Sequence, residues 1–149
     1  MHLSLQTDYG LRILMLLAST NRQMSVDQIA RSYGISRNHL AKVAQHLQSA
    51  GYIETSRGRG GGLRLGRPAG ELNVGKIVRD LESLDAFVEC MAPLRNMCPA
   101  LGLCGLQNAL GLALGDFLSR LDSYTVADLL PDPARFSRQL GSDAGLPGS

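Results

Sequence analysis

The chain has 149 residues, 44% of them hydrophobic, which is enough for one folded domain with its own core. Its three cysteines are an odd number, which argues against the disulfide framework of a small secreted domain. Residues 1–67 hold nine Lys/Arg against three Asp/Glu, whereas residues 68–149 hold six against ten. The basic first half favours a surface that faces a polyanion such as DNA.

The first apolar stretch, residues 3–18, repeats on a helical period and predicts a helix. Asp8 and Arg12 interrupt it, so it predicts neither a signal peptide nor a membrane span, and no other stretch is long enough for one. We therefore expect a cytoplasmic protein without a membrane partner. Asp8 and Arg12 stand four residues apart on one helix face, which favours an ion pair.

Residues 25–47 have the pattern of a helix-turn-helix. Ser25 and Gln28 are spaced as a capping box at the start of one helix, and Gly34 ends that helix. Ser36 can cap the second helix. The second helix turns an apolar stripe inward, formed by Leu40, Val43 and Leu47.

The caps and the outward face of the second helix offer polar and cationic side chains to DNA. Such groups reach base edges and phosphates when a helix lies in the major groove. The candidate DNA contacts on these two helices are Ser25, Ser36, Arg37, Asn38, His39 and Lys42.

A glycine-rich hairpin is predicted next. Residues 52–55 and 63–65 alternate like strands, and residues 56–62 between them read Ser-Arg-Gly-Arg-Gly-Gly-Gly. Glycines let backbone amides approach phosphates, and arginines can enter a minor groove, so the pattern predicts a DNA-binding wing. Its candidate contacts are Arg57, Arg59, Gly60 and Gly61. The alternative, an ordinary surface hairpin with a mobile tip, leaves the arginines of this region unexplained.

The second half predicts two further helices around an irregular segment. Asn73 can cap a helix that runs to Glu82, and residues 106–121 carry apolar side chains in steps of three and four. A small winged domain has no obvious place to bury so apolar a helix, so a partner subunit is its expected cover, with packing inside the chain as the alternative. From residue 131 onward, Pro, Gly and Ser predict a disordered tail.

All three cysteines lie in or at the edge of the irregular segment, residues 83–105. Seven residues separate Cys90 from Cys98 and five separate Cys98 from Cys104, and zinc sites usually include a closer pair. Iron–sulfur clusters tolerate more varied spacing, so a cluster held by three thiolates is the favoured interpretation. Three unrelated buried thiols are the alternative. The cluster would lack one ligand, which a histidine, a carboxylate or an exogenous group could supply.

These motifs resemble the family of winged-helix iron–sulfur repressors that includes IscR and NsrR. The resemblance spans residues 1–130. In the first half it is carried by residues 5–12, 29–30, 36–40 and 57–62. The second half is most similar to the nitric-oxide-sensing members of the NsrR kind, through the surroundings of the three cysteines and through residues 121–129 (LDSYTVADL). Residues 121–129 are the most specific part of this resemblance, because nothing about folding alone demands them.

The resemblance implies a homodimer that binds an imperfect palindrome in double-stranded operator DNA and represses nitric-oxide-detoxification genes. It implies a 4Fe–4S cluster, with 2Fe–2S as the other candidate, held by Cys90, Cys98, Cys104 and by Asp8 of the partner subunit. Arg12 would hold that carboxylate in place. Nitric oxide would be the signal that reacts with the cluster and releases the DNA.

The expected fold is therefore mainly α with a small β-hairpin. We divide it into a winged helix-turn-helix domain (residues 1–70), a cluster-binding loop with dimerisation helices (71–130) and the tail (131–149). A regulator rather than an enzyme is expected. The alternatives are an IscR-like regulator of iron–sulfur biogenesis or of redox, iron or cysteine metabolism, and a small iron–sulfur electron-transfer protein. A cysteine enzyme is a less favoured alternative, because no histidine lies near the cysteines in sequence.

Overall fold

The computed structural model describes residues 2–85, 87–92 and 97–141. Its helices are α1 (Leu5–Thr20), α2 (Val26–Tyr33), α3 (Arg37–Ser49), α4 (Val74–Leu81), α5 (Leu106–Leu121) and α6 (Pro133–Gln139). The strands β1 (Ile53–Ser56) and β2 (Gly62–Leu65) form an antiparallel hairpin, and three-residue 3₁₀ turns lie at Ala69–Glu71, Glu89–Met91 and Ala127–Leu129. The predicted fold, mainly α with a small hairpin, is confirmed. None of the described helices has the length and hydropathy that a membrane crossing requires.

The helix-turn-helix forms where the sequence predicts it because both of its helices are capped. The Oγ of Ser25 accepts the N–H of Gln28 at 3.1 Å, and the Oε1 of Gln28 accepts the N–H of Ser25 at 2.8 Å. Gly34 ends α2 in the left-handed region at φ 67°. The Oγ of Ser36 then accepts the N–H of His39 at 3.4 Å and starts α3. The predicted stripe of α3 is buried, with 0–2% exposure for Leu40, Val43 and Leu47.

Helix α1 lies at the centre of the core. Ile13, Leu14 and Leu16 are fully buried, and α1 contacts α3, α4, α6 and β2. Gly10 permits the close approach of α4, because a Cβ there would stand 2.6 Å from the Cδ1 of Leu81. Elements from both halves of the chain therefore pack against α1.

The N-terminus of α1 is also tied to the end of α4. The carboxylate of Glu82 accepts the backbone N–H of Ser4 at 2.9 Å and the hydroxyl of Ser4 at 3.0 Å. Burial opposes ionisation of Glu82, but hydrogen bonds from Thr7 and Ser4 outweigh it and lower the pKa of this carboxyl. The charged form of Glu82 thus helps to fix α1 against α4.

Residues 121–129 have a structural role that the sequence alone does not reveal. The side-chain amide of Asn73 donates to the carbonyl oxygen of Asp122 at 2.7 Å, and Arg79 donates to both carboxylate oxygens of Asp122, at 2.5 and 2.9 Å. The Arg79 guanidinium lowers the pKa of that carboxyl. Val126 is fully buried in the core. These contacts hold the end of α5 against α4. The expectation that folding does not require residues 121–129 is therefore wrong.

The predicted disordered tail is wrong for the residues that the structure describes. Residues 133–139 form α6, capped by Asp132, whose Oδ1 accepts the N–H of Arg135 at 3.0 Å, with Pro133 in the first turn. Phe136 and Leu140 pack against the core beside α1. An Asp-Pro start and an apolar pair four residues apart outweigh the loop-like composition. Residues 142–149 of the predicted tail lie outside the described residues.

Gly75 gives a direct test of the α4–α5 connection. A Cβ on Gly75 would lie 2.8 Å from the backbone nitrogen of Asp122 and closer still to its carboxylate, so Gly75→Ala should lower the free energy of unfolding by about 1–3 kcal/mol. The control is Gly70→Ala, because no atom lies within 4 Å of the Cβ it would add. Urea denaturation checks both variants; equal stability of Gly75→Ala and Gly70→Ala would contradict the packing described.

Candidate DNA interface and cysteine segment

The outward face of α3 is exposed where the sequence predicts DNA contacts. Asn38 and Lys42 are exposed, and neither takes part in the ion pairs of the described residues. Arg37 is also exposed, but its Nε lies 2.6 Å from the Oδ1 of Asp27 on α2. Half-buried His39 packs its ring against Tyr9 of α1, with 5.0 Å between ring centroids. Asn38 and Lys42 are thus the more accessible of these predicted contacts.

The two cap serines use their side-chain oxygens within the helix-turn-helix. Ser25 and Ser36 each accept a backbone N–H of the helix they start. A serine hydroxyl can still donate its proton to a phosphate while its oxygen accepts. Both residues therefore remain compatible with the predicted phosphate contacts at the helix N-termini.

The glycines of the hairpin tip, which we call the wing (residues 56–62), are required by its backbone. Gly58 and Gly60 have φ values of 89° and 71°. A Cβ on Gly61 would stand 2.5 Å from the carbonyl oxygen of Ser56. The Gln23 side-chain amide donates to the Ser56 hydroxyl, which supports the base of the wing. The turn itself therefore requires these glycines, independently of any approach to DNA.

In the basic half of the sequence, residues 1–67, the acidic side chains are all held in ion pairs. All three of its acidic residues are paired with an arginine: Asp8 with Arg12, Asp27 with Arg37, and Glu54 with Arg64. Arg57 and Arg59 on the exposed wing belong to none of the described ion pairs. The cationic field of this half therefore comes mainly from side chains outside these pairs, including those of α3 and the wing.

The predicted ion pair between Asp8 and Arg12 is present. The guanidinium donates from Nε and from an Nη to the two oxygens of Asp8, both at 3.0 Å. It also lies 5.7 Å from the ring centroids of Tyr9 and Tyr33. The Tyr33 hydroxyl donates to the backbone oxygen of Arg12 at 2.8 Å, and burial raises the pKa of Tyr33 well above its ordinary value. Arg12 thus fixes the partly exposed carboxylate of Asp8 on α1.

The cysteines occupy turns that lead into α5. Cys90 lies in the turn Glu89–Met91, and its carbonyl oxygen accepts the side-chain amide of Gln107 at 3.0 Å. The carbonyl of Cys98 accepts the N–H of Leu101 at 3.2 Å. The Sγ of Cys104 accepts the N–H of Leu106 at 3.4 Å. No cysteine is part of a disulfide.

The single chain does not bring the predicted ligands to one point. Across residues 2–85, 87–92 and 97–141, no three His, Cys, Asp or Glu side chains are close enough to share a metal ion. Residues 93–96, between Cys90 and Cys98, lie outside the described part of the chain. The donor chemistry still fits an iron–sulfur cluster: three thiols in a segment of turns, with a backbone N–H directed at one sulfur.

Helix α5 has the predicted bounds and leaves much of its apolar surface exposed. Leu118 is buried on the α4 side, whereas Leu106 and Leu112 are 55% and 64% exposed. Among the described residues, packing inside the chain therefore covers only one side of the helix. Gln107 lies in the first turn of this helix and contacts Cys90, a contact that the sequence analysis missed. The sequence feature that could have indicated it is a polar side chain in the first turn of an apolar helix, three residues after a cysteine.

Residues 3–132 match the model of the Rrf2 family, described as iron-dependent transcriptional regulators. The chain belongs to the Rrf2 family. The match includes the helix-turn-helix, the wing, the cysteine segment and α5.

Three solved structures show the same architecture as this Rrf2 chain. CymR (YrzC), the global cysteine regulator of B. subtilis, is 27% identical with a TM-score of 0.69, over 91% of this chain and 98% of that one. IscR of T. potens is 26% identical with a TM-score of 0.69, over 89% of this chain and 88% of that one. The CymR of Staphylococcus aureus is 28% identical with a TM-score of 0.64, over 86% and 97%. The chain is thus an Rrf2 transcriptional regulator with a winged-helix fold.

The exposed cations of the wing and α3 predict different effects on DNA binding. Arg59→Ala should weaken binding to a DNA site selected from a random library by about 1–3 kcal/mol, if the side chain enters a groove. Lys42→Ala should weaken all sequences about equally and reduce the salt slope by about 1, if it meets only phosphate. Fluorescence anisotropy across a salt series measures both.

The control is Arg135→Ala, which removes the same charge from an exposed position of α6. An affinity of Arg59→Ala equal to that of Arg135→Ala, at equal iron content, would remove the wing from the interface.

Proposed function

We propose that this Rrf2 regulator is a nitric-oxide-sensitive iron–sulfur repressor of the NsrR kind, which acts as a homodimer on an imperfect palindrome. The observation that carries the proposal is the arrangement of one chain: a cationic helix-turn-helix and wing at one end of its sequence, and three thiols in turns before an exposed apolar helix at the other. The first part suits operator DNA. The second suits a cluster near a subunit interface.

Three thiols and one carboxylate are the proposed ligands. Cys90, Cys98 and Cys104 would hold the cluster, expected to be 4Fe–4S with 2Fe–2S as the alternative. When bound, the cluster supplies iron atoms with which nitric oxide reacts. Asp8 of the partner subunit is the proposed fourth ligand. A carboxylate is a harder ligand than a thiolate, so it would be the weakest of the four.

The exposed side of α5 supports the dimer. Leu106, Leu112 and Phe117 expose 55%, 64% and 39% of their surface, which is costly for large apolar side chains in one helix. A second copy would cover them and set the distance between the two DNA-reading helices. It would also bring the cysteine segment of one subunit towards α1 of the other.

Contacts through α4 offer a route from the cysteine segment to the DNA-binding half. Helix α4 packs on α5 through Val78 and Leu118, and on α1 at Gly10. It also meets the start of the hairpin, because the hydroxyl of Tyr52, the residue before β1, donates to the carboxylate of Asp80. Burial and this hydrogen bond raise the pKa of Tyr52 to about 12. A movement of the cysteine segment against α5 would therefore change the packing of α4 on α1 and beside β1.

A second candidate within the family is a regulator of iron–sulfur, iron or cysteine metabolism. The similarity to IscR and to the cysteine regulator CymR favours it. The nitric-oxide assignment rests on residues 121–129 and on the surroundings of the cysteines. Because part of residues 121–129 stabilises the fold, one experiment compares nitric oxide with the signals of the second candidate.

The signal is tested on protein purified without oxygen. Nitric oxide should bleach the visible absorption of the loaded protein and release its DNA. Equal amounts of cysteine or an iron chelator serve as the other arms. Release by either of these with no response to nitric oxide would support the second candidate instead.

The thiol ligands make a separate prediction. Replacing Cys90, Cys98 or Cys104 by serine, one at a time, should remove iron, sulfide and the visible absorption, because a hydroxyl is a poor substitute for a thiolate. Met97→Ser, which changes an exposed sulfur side chain beside Cys98, is the control and should keep its iron. Wild-type iron content in all three cysteine variants would show that the ligand assignment is wrong.

Ligation by Asp8 across the dimer can be tested by complementation. Asp8→Ala should keep a cluster, but with an altered spectrum and a faster reaction with nitric oxide. The control Asp27→Ala, which also removes an arginine-paired acid, should leave the spectrum and the reaction rate unchanged. A heterodimer is then made from one Asp8→Ala chain and one Cys98→Ala chain. Ligation in trans leaves one site with all four ligands, so half the sites should show the wild-type spectrum. A heterodimer without any such signal would refute ligation in trans.

A further inference from the structure

The turn that carries Cys90 lies along one face of α5. The Nε2 of Gln107 donates to the carbonyl oxygen of Cys90 at 3.0 Å. The terminal carbon of Met91 lies 3.7 Å from the position that a Cβ on Gly111 would take. Gln107 and Gly111 are four residues apart and therefore share a helix face. One face of α5 thus receives the backbone of Cys90 and the side chain of the next residue.

The same end of α5 engages Cys104. The N–H of Leu106 donates to the Sγ of Cys104 at 3.4 Å, and the backbone of Cys104 continues directly into the helix. Cys90 comes fourteen residues earlier in the chain. Bringing such distant positions together costs loop-closure entropy, so a specific contact must offset it. The Gln107 amide makes such a contact.

We propose that Gln107 is a positioning residue for the cysteine segment, which docks the Cys90 turn on α5 so that Cys90 and Cys104 are held at the same end of that helix. The consequence for a cluster rests on the proposed function, whereas the docking contact does not. The residue type suits this role, because an amide can donate to a carbonyl oxygen and a carboxylate of the same size cannot.

The neighbouring residue provides a matched control. Gln107→Glu keeps the size of the side chain, removes the donor and places a negative charge beside the Cys90 carbonyl. Asn108→Asp makes the same chemical change one residue later, at an exposed position of the same helical turn. Both acids lie in the first turn of α5, where the helix dipole affects them alike. A difference between the two variants therefore reports the contact to Cys90.

The first experiment uses the protein without a cluster. Iodoacetamide labels the reduced chain, and mass spectrometry follows Cys90, Cys98 and Cys104 separately. Gln107→Glu should speed the labelling of Cys90 relative to Cys98 by roughly 2- to 12-fold, the equivalent of one hydrogen bond. Asn108→Asp should match the wild type. An unchanged Cys90 rate in Gln107→Glu, or the same increase in Asn108→Asp, overturns the proposal.

The second experiment measures how long the reconstituted protein keeps its iron in the presence of a chelator. Gln107→Glu should lose iron faster than Asn108→Asp, and Gln107→Lys, which restores a donor, should recover much of the wild-type lifetime. Equal lifetimes for Gln107→Glu and Asn108→Asp overturn the role in cluster retention. If the wild type binds no cluster, the proposed function fails, and the labelling experiment still decides the role of Gln107.

Discussion

The burial of helix α1 is the constraint on which the rest of the molecule depends. Ile13, Leu14 and Leu16 have no exposed surface, and a helix reaches that state only when neighbours pack on several of its sides. Those neighbours come from the helix-turn-helix, the hairpin, α4 and α6. Each buried side chain of this kind contributes about 1.5–3 kcal/mol, so α1 stabilises both halves at once. The DNA-binding half and the cysteine-bearing half are consequently not independent modules.

Local signals predicted the elements well, because their causes lie within a few residues. The capping box of α2, the serine cap of α3 and the apolar period of α5 each determine a boundary without help from the rest of the chain. Composition misled us at α6, where Asp132 and Pro133 mark a helix start inside a loop-like sequence. No local pattern predicts the contacts of Asp122 with α4, because its partners Asn73 and Arg79 lie more than forty positions away in the sequence.

The candidate sites were predictable in composition but not in geometry. The sequence predicted Arg37 as a DNA contact, and only the fold places its guanidinium against Asp27. It identified three cysteines, whose convergence depends on segments that meet through tertiary contacts or through a second subunit. The Gln107 contact to Cys90 belongs to the same class, since no short-range rule connects residues seventeen apart. Pair contacts of this kind are where reasoning from one sequence reaches its limit.

The unequal charge of the two halves has a kinetic consequence. The first half is basic, with its acids bound to arginines, and the second half is acidic overall. Near DNA, the phosphate field attracts the basic half of the sequence and repels the acidic half, so it favours orientations in which the basic half approaches the duplex. We expect encounters in which the predicted contacts on the wing and α3 face the duplex, because the acidic half makes other orientations less favourable. Electrostatic steering thus improves the productive fraction of collisions without adding a base contact.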